Sequence, residues 1–237
     1  MTNAQPEPEH RRILAAYERL AERLSGGGFF EFRDAAHVCR LHERYLATLR
    51  LLRAHGYHPL GPLRLLDVGC GDGNMLRQFL DWGAAPERLA GIELREGPVA
   101  TARRLLPQVD VRVGSATALP WADRSFDLVC QHTVFTSVLD DGWRRQIAAE
   151  LARVLRPGGA VLWYDFAFDN PANPDVRGIQ PGAVRALFPG YTPHLARITL
   201  APPVARRLPE ALLPVANPLL AALPLLRTHV LGLLVKP

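Results

Sequence analysis

The chain has 237 residues, 48% hydrophobic and 22% charged, enough for one large domain with a substantial core. Its formal charge of +5 rests on arginine, since Lys236 is the single lysine; the pairs Arg103-Arg104, Arg144-Arg145 and Arg206-Arg207 are scattered without interleaved aromatics, which argues against nucleic acid as a partner. The three cysteines Cys39, Cys70 and Cys130 make neither a disulfide framework nor a metal spacing, and the eight histidines show no H-x-x-x-H pair, so a reducing, cytoplasmic setting without a metal site is expected.

The opening stretch, MTNAQPEPEH, is polar with no apolar run behind it, which argues against a secretory signal. Within residues 11–24, Ile13, Tyr17 and Leu20 fall on one helical stripe. Consecutive glycines in SGGGFF then break the helix. Phe29 and Phe30 follow directly; they are either residues that close over a substrate on a glycine hinge or plain surface loop. Val38, Leu41, Tyr45, Leu49 and Leu52 mark a second helix, and the Gly- and Pro-rich segment HGYHPLGP (55–62) reads as a linker. The expected division is a helical cap over 1–59 and a main domain over 60–237.

From residue 63, short apolar runs alternate with helical patterns. LRLLDVG, RLAGIEL, VDVRVG, SFDLVCQ and AVLWYDF read as strands; NMLRQFLDW, GPVATARRLL and DGWRRQIAAELARVL read as helices. The PGG after the last helix reads as its terminator, with glycines suited to a left-handed end. Alternation of this kind predicts a parallel sheet covered by helices on both faces, with ligands outside the carboxyl ends of the strands. ARITLA and THVLGLLV suggest two further strands. Between them, residues 211–226 (ALLPVANPLLAALPLL) carry no charge; they are short for a membrane span and broken by Pro214, Pro218 and Pro224. That segment reads as a cap on the core, with docking on a membrane surface or an apolar substrate as the alternative.

Gly69, Gly71 and Gly73 end the first strand, where a side chain would keep a ligand from the backbone. A dinucleotide fold wants G-x-G-x-x-G, but here the third position is Asn74 and glycine comes one residue early. Asp67 and Asp72 flank the turn with negative charge, which suits a ligand bearing an ammonium and a sulfonium better than a pyrophosphate. Glu93 ends the second strand in GIEL, where a carboxylate can accept hydrogen bonds from both hydroxyls of a ribose.

With LLDVGCGDG, GIEL, GSATALPWADRSFDLV and ELARVLRPGGAVLW in this order, residues 63–165 resemble the class I S-adenosylmethionine-dependent methyltransferases, particularly their small-molecule, quinone-biosynthesis-like (type 11) branch. A looser likeness to bacterial methyltransferases, some in sugar- or polysaccharide-modifying contexts, continues beyond that block. The resemblance implies a Rossmann-like α/β fold, a seven-stranded, mostly parallel sheet with an N-terminal helical cap, its last strand antiparallel and formed by THVLGLLV. It implies S-adenosylmethionine as cofactor. Asp67 and the turn Gly69-Cys70-Gly71-Asp72-Gly73 would hold the methionine part, and Glu93 the ribose hydroxyls. Leu94 and Ala116 would face adenine. Ser115 stands where many relatives carry an acid for the adenine amino group, and Gln131 would meet the ammonium through its backbone carbonyl. His42 and Glu43 lie on a helix that, in relatives, folds over the cofactor, which makes His42 a substrate-contact candidate.

Methyl transfer is an in-line displacement, so the protein must align the acceptor and take a proton from a hydroxyl or amine. His132, directly after strand four, is the candidate base, or a histidine tied to a nearby carbonyl. Tyr164 and Asp165 end strand five; they would bind or deprotonate substrate, or pack and cap the loop. Arg177, in the long loop beyond, would hold an acidic or sugar substrate, or pair with Asp169 or Asp175. The expected activity is O-methylation of a small molecule, a sugar or secondary metabolite, with N-methylation of an amine or non-catalytic cofactor binding as alternatives.

Overall fold

A computed structural model gives the fold over residues 8–24 and 34–237, the residues described below. Seven strands form one sheet: β1 (Leu65–Val68), β2 (Leu89–Glu93), β3 (Asp110–Val113), β4 (Phe126–His132), β5 (Leu155–Phe166), β6 (Thr192–Leu200) and β7 (Arg227–Val235). Their order is β3-β2-β1-β4-β5-β7-β6. All neighbouring pairs from β3 to β5 run parallel, while β7 is antiparallel to both β5 and β6. The expected antiparallel last strand is therefore the one formed by THVLGLLV. Strand order reverses between β1 and β4, the place where such sheets open a crevice at their carboxyl ends.

Eight helices accompany the sheet: α1 (Pro8–Leu24), α2 (Ala35–Ala54), α3 (Asn74–Asp81), α4 (Glu96–Leu105), α5 (Asp141–Val154), α6 (Pro181–Leu187), α7 (Pro202–Ala205) and α8 (Leu213–Ala221). Local chemistry sets several starts. Asp34 caps α2 by accepting from the backbone N–H groups of Ala36 (2.9 Å) and His37 (3.2 Å), and Asp140 caps α5 through Trp143 N–H (2.7 Å).

The pleat sorts the core into two clusters, one on each face of the sheet. Leu65, Leu128, Cys130, Ala160, Leu162 and Leu231 pack with Leu52 of α2 and Phe79 of α3. Leu66, Val68, Val129, Val161, Trp163 and Val230 pack with Ile147 and Leu151 of α5, and Ile13 of α1 joins them. Full burial of a ring such as Phe79 contributes about 1.5–3 kcal/mol.

Two expectations need correcting. The PGG stretch does not end α5. The helix stops at Val154 because Leu155 already pairs with Phe126, so Pro157, Gly158 and Gly159 lie within β5, with Gly158 left-handed (φ 73°) and its N–H bonded to the Lys236 carbonyl. The uncharged segment 211–226 is a core cap on one face only. Leu213, Asn217 and Ala221 are buried, but Leu212, Val215, Leu219, Leu223 and Leu225 are exposed. No helix among the described residues is long and apolar enough to cross a membrane.

Candidate functional site

Strand β1 delivers the glycine turn to the crevice. All three glycines are left-handed, with φ 72° at Gly69, 54° at Gly71 and 83° at Gly73, but their surroundings differ. A Cβ on Gly69 would come within 2.5 Å of Val134 Cγ2, and one on Gly73 within 2.8 Å of Leu106 Cδ1. Those two positions are closed by the protein's own packing. At Gly71 a Cβ would meet nothing within 4 Å. Of the three, only Gly71 leaves open space where a Cβ would stand. The Cys70 thiol is turned into the core and held protonated by burial, so Cys70 offers only backbone to the turn.

The turn and β2 are tied together. Gly69 and Cys70 donate to the Ile92 carbonyl at 2.8 and 3.0 Å, and Gly71 N–H donates to Glu93 Oε2 at 3.1 Å. Glu93 is buried at the end of β2, and its Oε1 also accepts from Arg95 N–H (3.1 Å) and Nε (2.8 Å). The Arg95 guanidinium in turn lies 4.0 Å over the ring of Tyr17 on α1. Leu94, Ala116 and Tyr17 are partly buried against one apolar cluster. Ser115 and Thr117 share a 2.7 Å hydroxyl contact.

Parity along the strands decides which polar groups meet. Asp67 shares the pleat face of Leu65, His132 that of Leu128 and Cys130, Tyr164 that of Ala160 and Leu162, and His229 that of Leu231. Four polar side chains thus collect on the α2 side of the sheet, three at the carboxyl ends of β1, β4 and β5 and His229 near the start of antiparallel β7. His132 Nδ1 stands 3.7 Å from Asp67 Oδ1, too far for a hydrogen bond but within reach of its charge. Both ring nitrogens of His132 are buried without a partner, and burial holds its pKa below the usual histidine range despite Asp67. The imidazole is therefore neutral near pH 7.

Gln131 points to the other face. Its Oε1 accepts from Val134 N–H at 3.1 Å, and its Nε2 is buried without a partner. Asp165 also faces that side, away from Tyr164. It is fully buried, accepting from Thr136 Oγ1 (2.5 Å), Thr136 N–H (3.2 Å) and Phe166 N–H (3.0 Å). Burial pushes its pKa up to about 7. Asp165 is thus a clamp between β5 and the loop after β4, not a group that touches an acceptor.

Other candidates are corrected too. The Tyr164 hydroxyl is held by Thr199 Oγ1 at 3.2 Å and its pKa is raised by burial, so the ring is wall material and a poor base. His42 is exposed on α2. Arg177 pairs with Asp141 at the start of α5, while Asp175 pairs with Arg19 of α1 at 2.8 Å and Asp169 accepts from Gly178 N–H at 2.7 Å. Phe29 and Phe30 lie outside the described residues. Sequence reasoning missed Arg40 and Arg44 of α2, which face Tyr164 and His229. Their four-residue spacing, which puts them on one helix face, was the available signal. It also missed Tyr17 and Arg95, which no motif marks.

Residues 66–163 match the model of a family described as a methyltransferase domain. Over 129 residues the chain is 34% identical to an O-methyltransferase of Penicillium expansum, covering 52% of this chain and 43% of that protein. A ubiquinone/menaquinone biosynthesis C-methyltransferase of Methylobacterium nodulans is 31% identical over 162 residues, covering 66% and 57%. The chain spans about half the length of the curated relatives it matches. The crystal structure of an S-adenosylmethionine-dependent methyltransferase from Mesorhizobium loti superposes with a TM-score of 0.60 at 19% identity, covering 79% of this chain and 97% of that one, and shows the same fold.

Over residues 66–163 the chain is thus similar to a methyltransferase domain, and the proteins it resembles include S-adenosylmethionine-dependent methyltransferases. Its mixed seven-stranded sheet and helical layers have the Rossmann-like fold of the Mesorhizobium loti protein, which is described as dependent on S-adenosylmethionine. The residues present fit that compound. The cradle at Gly71 is open, the Asp67 carboxylate stands 3.7 Å from the His132 ring, and the Gln131 side-chain amide is left with an unused donor.

Proposed function

We propose that this protein transfers a methyl group from S-adenosylmethionine to a hydroxyl oxygen of a small molecule, with His132 taking the proton. When bound, the cofactor supplies an electrophilic methyl carbon on a sulfonium. The turn Gly69–Gly73 and Asp67 would hold its amino-acid part, with Gln131 contributing its backbone carbonyl. The Glu93 carboxylate, fixed by Gly71 and Arg95, would accept from the ribose, while Leu94 and Ala116 would flank adenine and Ser115 would accept at its rim. The N-terminal residues 1–59 would act as a cap on the domain formed by 60–237. Supporting this, Glu9 of α1 accepts from Leu139 N–H at 2.6 Å, and Glu43 of α2 accepts from Thr199 N–H at 3.0 Å.

The observation that carries the assignment to oxygen is His132. A buried, neutral, unpartnered imidazole beside Asp67 at the carboxyl end of β4 is poised to receive a proton from a hydroxyl. A general base of this kind contributes about 10²–10⁴-fold. Incubation with S-adenosylmethionine and pools of hydroxylated sugars and phenols should produce S-adenosylhomocysteine and a product methylated on oxygen. His132→Asn should lower turnover by about 10²–10⁴-fold without changing cofactor affinity. In the wild type, turnover should rise with pH through a pKa below the usual histidine range and be level by neutrality, since the neutral ring is the active form. A product methylated on carbon, or full turnover in the variant, contradicts the proposal.

A further inference from the structure

The strongest unassigned feature is a group of basic side chains around Tyr164. Arg40 and Arg44 lie four residues apart on α2, hence on one face of the helix. The Arg44 guanidinium stands 5.1 Å from the centre of the Tyr164 ring and 5.2 Å from that of Tyr45. Arg40 Nη2 reaches His37 Nδ1 at 2.5 Å. His229 stacks on Tyr164, with ring centres 4.9 Å apart, and the His132 ring is 6.0 Å from Tyr164.

This group has more positive charge than the fold neutralises. Neither Arg40 nor Arg44 makes an ion pair within 4.0 Å among the described residues. Of the two carboxylates nearby, Asp34 caps α2 and faces Arg206 at 3.7 Å, while Glu43 spends Oε1 on Thr199 N–H at 3.0 Å. Arg44 Nε and both nitrogens of His132 are buried without partners; Glu43 Oε2 is also unpartnered, a hydrogen-bond acceptor that the methyl acceptor's hydroxyl rather than its anion would meet. Buried polar groups are nearly always satisfied, so orphaned atoms converging on one ring mark a place completed by something bound. One guanidinium over two aromatic rings, with a second four residues away on the same helix face, calls for oxyanions, which such groups bind by charge-assisted and often bidentate hydrogen bonds. Burial keeps His229 neutral, its pKa lowered to about 3, so the anion's charge would be met by the arginines alone.

Building on the methyltransferase reading above, we infer that the acceptor carries an anionic group, a carboxylate, phosphate or sulfate, docked between Arg40 and Arg44, with its hydroxyl turned towards His132. Register supports the reach between the two ends, because His132 and Tyr164 are direct partners on β4 and β5. An acceptor anchored at the arginines would lie across Tyr164 with its far end at Asp67 and the glycine turn.

The test is a titration of inorganic phosphate into the protein, with and without S-adenosylhomocysteine, following arginine side-chain Nε–H signals by NMR. Arg40→Lys and Arg44→Lys each delete one signal and so assign it. The expected result is a saturable shift of those two signals, absent with chloride at matched ionic strength, and at least about tenfold weaker binding in Arg40→Met/Arg44→Met. Parallel titrations with sulfate and acetate separate tetrahedral anions from a carboxylate. Unsaturable shifts, shifts spread over surface arginines, or equal binding in the double variant overturn the inference. S-adenosylhomocysteine affinity is measured separately by calorimetry. Protein that binds this compound but shows no anion site refutes this inference alone; protein that fails to bind it refutes the parent reading, whatever the anion does.

Discussion

The two halves of the crevice are built on different principles. On the side of β1 and β2, the surface is backbone: a turn of left-handed glycines, held by the Ile92 carbonyl and the Glu93 carboxylate. On the side of β5, β7 and α2, the surface is side chain: Tyr164, His229, Arg40 and Arg44 meet from elements far apart in the chain. Backbone geometry admits few residue types at each position, whereas a side-chain surface can be rebuilt one residue at a time. The first half therefore suits a fixed ligand and the second an acceptor that varies from one enzyme to another.

Substitutions in the turn probe the first half most severely. Gly69→Val must adopt positive φ and collide with Val134, which should cost about 3–4 kcal/mol of stability by denaturant unfolding. Asp165 offers a pH test of the clamp that joins the halves. Its carboxyl keeps a proton in the fold up to about pH 7, while the unfolded chain releases it near 3.8. The unfolded state binds fewer protons across that window, so stability falls as pH rises from about 4 to 7, by roughly 2–3 kcal/mol. Asp165→Asn should remove that share of the decline; matching pH profiles would mean the carboxyl is ionised in the fold. The smallest effect belongs to Gly71→Ala, where only the positive φ is penalised. It should cost about 1 kcal/mol of stability while sharply weakening cofactor binding. Equal loss of stability at Gly69 and Gly71 would erase the distinction between packing and cradle.

What the sequence made legible follows the same division. The strands, the glycine turn and Glu93 were readable because local pattern and spacing dictate them. The roles of the separate glycines were not, since Val134 and Leu106 come from distant segments. Asp165 was misjudged although parity was available: adjacent residues on a strand point to opposite faces, so Tyr164 and Asp165 could not both line one site. The PGG stretch misled because left-handed glycine also serves where a strand begins. Arg40, Arg44 and His229 escaped notice because what distinguishes them is the absence of a carboxylate partner, a property of tertiary packing alone. Arg177, prominent in the sequence as a lone loop cation, is paired with Asp141.

The claim on which the rest depends is that the bend between β1 and α3, closed by Glu93, seats the sulfur nucleoside. Calorimetric titration of S-adenosylhomocysteine into wild type and Glu93→Ala measures it directly. Loss of about 1.5–3 kcal/mol of binding, with folding intact, is the expected result. Wild-type affinity in the variant would place the nucleoside elsewhere and contradict the assignment of the crevice.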